Sequence, residues 1–247
     1  VARLSGTRAL ITGATSGIGL AIAQALTEAG AAVAVTGRVE ARARSVADEL
    51  GPSAIGLALD VRDPDSVGAG VATVYEQLGG IDVLISNAGV GMRTVNPRFM
   101  TDPQPFWTVA PEGFREVVET KLTGSFLVCR AVAPRMLEAR GGRIIVISMN
   151  EQTMTRRGFV PYGPSGAAVE ALAHVMAADL EGTTVTVNIL LPGGATATGM
   201  IPDDASPETR AHLLDPAIMG PPAVWLASAD AAGVHGRRIV AKDFRPS

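Results

Sequence analysis

The chain has 247 residues, 47% of them apolar, and a formal net charge of −3. That length and apolar content predict one folded domain, spanning 1–247, whose core needs neither disulfide nor metal. The weak negative charge, with no basic run, argues against nucleic acid or an anionic membrane surface as a partner, and no apolar run reaches membrane-spanning length.

The chain alternates strand-like and helical patterns from end to end. A strand at 8–12 leads to a helix at 18–29, and a strand at 32–36 to a helix at 40–50. A strand at 54–59 is followed by a helix at 65–78, with Asp63-Pro64 as its N-cap and first residue. A strand at 81–86 precedes a long helix at 111–139, and a strand at 143–148 precedes a helix at 164–180. A strand at 185–190, a helix at 222–229 and a strand at 237–241 complete the chain. The strands are continuous runs of Val, Ile, Leu and Ala, which suits burial on both faces. This order predicts an α/β fold: a doubly wound, mostly parallel, seven-stranded Rossmann-type sheet with helices on both faces.

Two long segments interrupt the rhythm, 91–110 and 193–221. Both follow strand ends, on the edge where open α/β sheets bind ligands, so they are expected to surround a substrate while residues 1–90 hold a cofactor. Candidates for an apolar substrate wall are Met92, Phe99, Phe106, Trp107, Met149, Met154, Phe159 and Met200. The single cysteine, Cys129, lies in an apolar helical stretch and reads as a small buried hydrophobe. One thiol cannot form an internal disulfide, and no signal-peptide pattern is present, so a cytoplasmic setting is expected. His174, His212 and His235 lack metal-ligand spacing, and no metal site is assigned.

The first strand runs into Thr12-Gly13-Ala14-Thr15-Ser16-Gly17-Ile18-Gly19. Glycines there permit a tight turn and let backbone N–H groups approach a pyrophosphate, to which the following helix adds its positive end. The second strand ends in Gly37-Arg38 rather than in an acid that would accept a ribose hydroxyl. Arg38 can pair with a 2′-phosphate, so NADP(H) is the expected cofactor, with NAD(H) as a possible substitute.

The pattern Thr-Gly-x-x-x-Gly-x-Gly resembles that of the short-chain dehydrogenase/reductase family, and further matches run along the chain. Asp60-Val61 follows the third strand, where that family contacts adenine, and Asn87-Ala88-Gly89 matches its Asn-Ala-Gly segment. Tyr162 stands where its catalytic tyrosine belongs. Pro192, Gly193, Ala195 and Thr196 match the loop that covers the nicotinamide, with Thr196 and Thr198 flanking Ala197 at the family's threonine position. The resemblance implies an oxidoreductase with a dinucleotide, a small-molecule substrate and a homo-oligomeric assembly, dimer or tetramer.

The family's catalytic set is Asn, Ser, Tyr and Lys, and only the tyrosine is kept. Lys121 stands at the asparagine position, Met149 at the serine position and Gly166 at the lysine position. The loss at 166 leaves Tyr162 without its nearest cause of a lowered pKa, which harms alcohol oxidation more than carbonyl reduction. Lys121 either reaches toward the vacated space or makes only a salt bridge or solvent contact. Strand alternation places Ser148 on the side away from Met149, so Ser148 is not expected to replace the serine. Asn150 and Glu151 follow on the same edge. Three functions remain open: an NADPH-dependent oxidoreductase with an altered catalytic set, a catalytically silent or non-redox dinucleotide-binding protein, and a lyase or isomerase on the same fold.

Overall fold

Seven strands form one fully parallel sheet in the order β3-β2-β1-β4-β5-β6-β7. They are β1 (Arg8–Ile11), β2 (Ala32–Gly37), β3 (Ala54–Ala58), β4 (Val83–Ser86), β5 (Gly142–Ile147), β6 (Val185–Leu191) and β7 (Arg238–Val240). The computed structural model describes residues 4–245, so the ends of the expected domain, 1–3 and 246–247, lie outside the described residues. The helices are α1 (Gly17–Glu28), α2 (Glu40–Leu50), α3 (Pro64–Leu78), α4 (Pro111–Val118), α5 (Gly124–Glu138), α6 (Glu151–Met154), α7 (Tyr162–Asp179), α8 (Pro207–Ala211) and α9 (Gly220–Ala227).

Strand alternation sorts the apolar runs into two cores. Leu10, Leu84, Ile144 and Val146 face one side, packed on Val67 and Val71 of α3, Val128 and Val132 of α5, and Val169 and Ala173 of α7. Ile11, Val33, Ile85 and Ile145 face the other, against Ile22 and Leu26 of α1 and Leu226 of α9. Burial on both faces explains why these strands read as unbroken apolar runs. Asp63 caps α3 by accepting a hydrogen bond from the Asp65 N–H, as the Asp-Pro pair implies.

The long helix expected at 111–139 is present and runs without interruption from Pro111 to Glu138. Between α4 and α5, residues Glu119–Thr123 form a π turn, which places Lys121 at the widened step. Gly124 follows it against Val61, where a Cβ would fall 2.5 Å from Val61 Cγ2. The last helix begins at Gly220 rather than at 222, and α7 begins at Tyr162 itself. The segment 91–110 holds two 3₁₀ turns, Met92–Thr94 and Phe106–Thr108.

Candidate active site

The sheet changes direction between β1 and β4, since β1 pairs with β2 on one side and β4 on the other. Above that point, at the carboxyl ends of the strands, a cleft of about 460 Å³ opens. The expected cofactor residues of the first half of the chain line it: Gly13, Thr15 to Gly19, Arg38, Asp60, Val61, and Asn87 to Gly89. Gly13 takes φ +64°, and a Cβ there would meet the Ala88 Cα at 2.9 Å. The turn therefore needs glycine both for its backbone and for its contact with the β4 edge.

Asn87 holds that turn in place. Its side-chain amide donates to the carbonyls of Thr12 and Gly13, both at 3.0 Å. The N–H groups of Asn87 and Ala88 donate to the Thr12 hydroxyl, each at 3.0 Å. Ser16 caps α1 without a side-chain bond to the helix, so the first-turn N–H groups stay open toward the cleft. Open N–H groups at a positive helix end, beside a glycine turn of this shape, fit a dinucleotide pyrophosphate.

At the far end of the cleft Arg38 is exposed and makes no ion pair among the described residues. Asp60 is already engaged: Arg62 reaches both of its oxygens, at 2.6 Å through Nη2 and 2.9 Å through Nε. That hydrogen-bonded guanidinium holds the Asp60 carboxyl below its usual range.

A second cavity, of about 150 Å³, adjoins the cleft. Met92, Phe99, Met149, Phe159 and Met200 line it, joined by Met100, Ile201 and Arg156. Arg156 is its one charged wall residue and stacks over the Phe159 ring at 4.8 Å. Three expectations fail here. Phe106 and Trp107 pair edge to face with each other, 67% and 74% exposed, away from the cavity. Met154 ends α6 outside the wall, where Thr153 stands instead. Gly193, expected in the nicotinamide loop, takes φ +92°, and a Cβ there would fall 2.6 Å from Lys242 Cγ and Val240 Cγ1, while Gly194 lines the cavity together with Pro192, Ala195 and Thr196. Thr198 rather than Ala197 faces both spaces.

The catalytic positions differ most from expectation. Met149 fills the room beside Gly166: a Cβ at 166 would fall 2.6 Å from Met149 Cε and 2.7 Å from its Sδ. Met149 and Gly166, expected at the family's serine and lysine positions, thus fit each other. Lys121 does not occupy that room. It is 8% exposed, and its Nζ sits 5.4 Å from the centre of the Tyr162 ring, within cation–π range. Burial lowers its pKa from 10.5 to about 8, against an opposing pull from Glu170. The expected alternative of a salt bridge or solvent contact for Lys121 is not what the geometry gives.

Tyr162 hydroxyl donates weakly to Met200 Sδ at 3.7 Å, and burial raises its pKa. Ser148, expected on the side away from Met149, lines the same cavity, with its Oγ buried. The β5 ladder ends at Ile147, strand alternation ends with it, and both residues line the apolar cavity. Ser148 and Arg156 are wall residues that pattern reading did not assign, and of the two only Ser148 had a sequence signal, a hydroxyl at a strand end.

A family model described as short chain dehydrogenase matches residues 7–208. The chain is 33% identical over 243 residues to a 3-oxoacyl-(acyl-carrier-protein) reductase from Vibrio harveyi, covering 96% of each. It superposes with a TM-score of 0.85 and 28% identity on a gluconate 5-dehydrogenase from Burkholderia cenocepacia in complex with NADP and tartrate, over 96% of this chain and 94% of that one. A 3-ketoacyl-(acyl-carrier-protein) reductase from Brucella melitensis complexed with NADH also gives 0.85, at 27% identity over 96% and 97%.

Proposed function

We propose, from the premise that the chain belongs to the short-chain dehydrogenase/reductase family, that it is an NADPH-preferring oxidoreductase. Its substrate is a carbonyl, or in reverse a hydroxyl, on a small and mostly apolar molecule. One observation carries this reading: the dinucleotide-sized cleft and the apolar cavity meet at Tyr162, sharing Ile18, Gly91, Ser148, Thr198 and Met200. A cytoplasmic homo-oligomer is part of the same proposal.

Held by the glycine turn and Arg38, NADPH would supply the hydride for the carbonyl carbon. The chain's own residues manage the oxygen. Tyr162, kept neutral by burial, points its proton into the apolar cavity and donates it to the oxygen as negative charge develops there. Lys121 Nζ, 5.4 Å from the ring centre, offsets the charge left on the phenol. The thioethers of Met149 and Met200 keep water from the reacting oxygen and favour an apolar substrate body. Arg38 receives the 2′-phosphate, and the prior engagement of Asp60 by Arg62 leaves no free carboxylate beside it to repel that group.

The test follows NADPH absorbance over a panel of small apolar ketones and aldehydes, with Tyr162→Phe as control. Turnover that disappears in Tyr162→Phe supports the reading; turnover that persists in it overturns the role of Tyr162. Dissociation constants measured by fluorescence should favour NADPH over NADH by at least tenfold, and Arg38→Ala should erase the difference. A second reading, a dinucleotide-binding protein without turnover, draws on the Met149–Gly166 packing that closes the family's lysine site. Tight NADPH binding with no turnover of any carbonyl would select it.

A further inference from the structure

Position 149 carries no hydroxyl, which leaves Tyr162 as the one assigned partner of the reacting oxygen. We infer that Ser148 donates the second hydrogen bond to that oxygen, taking over at the neighbouring position what Met149 cannot do. The inference rests on the reductase reading above.

Ser148 is 5% exposed, and its Oγ is a buried side-chain oxygen with no hydrogen-bond partner among the described residues. A buried hydroxyl left unpaired destabilises a fold, and native chains seldom keep one without a use for it. The residue also stands on the wall common to the cofactor cleft and the apolar cavity, as Tyr162 does. Of the neighbouring hydroxyls, Thr196 donates to the Gly194 carbonyl at 3.3 Å, while Thr198 Oγ1 accepts from the Met200 N–H at 3.3 Å and keeps its own proton. Thr153, further out, is half-exposed and open to solvent. The Ser148 backbone is held by its N–H, which donates to the Leu190 carbonyl at 3.0 Å, so the hydroxyl rides on the rigid end of β5.

The chemistry needs such a group. As the new C–H bond forms with the hydride from NADPH, the carbonyl π pair moves onto oxygen, and that oxygen takes the phenolic proton of Tyr162. NADPH is oxidised and the carbonyl reduced, while Ser148 keeps its proton throughout. Its hydrogen bond strengthens as the oxygen gains charge, which stabilises the transition state more than the bound substrate. The same bond fixes the carbonyl so that one face meets the cofactor.

Ser148→Ala tests this through three readouts. In the apoprotein the variant should melt about 2–4 °C higher than the parent, because an unpaired buried hydroxyl is removed. The NADPH dissociation constant should stay within twofold. Carbonyl reduction should lose about a hundredfold in kcat, the range seen when one oxyanion donor is deleted. An apoprotein that melts lower shows that the hydroxyl is already satisfied in the fold and overturns the inference. Loss of NADPH affinity with unchanged kcat makes Ser148 a cofactor contact and also overturns it, as does unchanged kcat alone. If the parent binds NADPH but reduces no carbonyl, the reductase reading fails and carries this inference with it. That outcome is distinct from a parent and a Ser148→Ala variant that both turn over.

Discussion

Lys121 is the residue on which the site's pH behaviour turns. Its folded pKa of about 8 lies below the ordinary 10.5 because burial disfavours the ammonium. Below pH 8 the folded state carries that charge at a cost. Between about 8 and 10.5 the folded amine is neutral while the unfolded one still binds a proton, so the cost fades and stability rises with pH. The span corresponds to about 3 kcal/mol. Lys121→Met should therefore be more stable than the parent at pH 7 in urea melts, with the gap closing by pH 10.5. Carbonyl reduction should fall as pH rises through about 8, where the cation over the Tyr162 ring is lost, and this inflection should vanish in Lys121→Met. Gly166 gives a second prediction. Gly166→Lys alone displaces the flexible end of Met149, whose Cε would lie 2.6 Å from the new Cβ, and adds a long side chain to a buried position, so it should cost about 1–3 kcal/mol by overpacking. Adding Met149→Ser removes the clash, and adding Lys121→Asn removes a second ammonium. The triple variant should regain the parent's melting temperature and raise alcohol oxidation at least tenfold, read by steady-state kinetics in both directions.

At the scale of elements, the sequence of 111–139 was read as one regular helix, and nothing in its composition marks residues 119–123 as a π turn. Yet that turn decides where Lys121 points. The glycine turn was legible because strand, glycines and helix follow in immediate succession, and the spacing alone dictates a backbone cradle. The cover loop was legible only as a loop. Its tie is Arg93, whose guanidinium donates to the carbonyls of Gly199 at 3.1 Å and Ile201 at 3.0 Å and pairs with Asp203 at 2.7 Å. Arg93 comes from the turn after β4, more than a hundred residues away in sequence, and nothing local signals the contact. Arg93→Ala should weaken NADPH binding about tenfold in fluorescence titration, and proteases should cut 199–213 faster without a large change in melting temperature.

For the whole molecule, the sheet leaves an apolar surface on the two helices that follow β4 and β5. Val128 and Val169 on these helices lie inside the core at 1% exposure each. Phe126 on α5 and Val175 on α7 do not: they are 46% and 58% exposed. They support a proposal of self-association. Light scattering of the parent should give a multiple of 25.4 kDa, and Phe126→Glu with Val175→Glu should shift it toward a single chain with little loss of stability, because neither side chain is buried in the fold. Sequence alone determined the alternation of strands and helices, the parallel two-faced sheet, the glycine turn and the survival of Tyr162, because each is written in contiguous residues or short spacings. Strand order, the fit of Met149 against Gly166, the position of Lys121 over the tyrosine ring and the unpaired hydroxyl of Ser148 were decided by the tertiary structure. Each depends on how close side chains from distant segments come to one another, and a few ångströms there separate a charge beside a phenol from a charge in solvent.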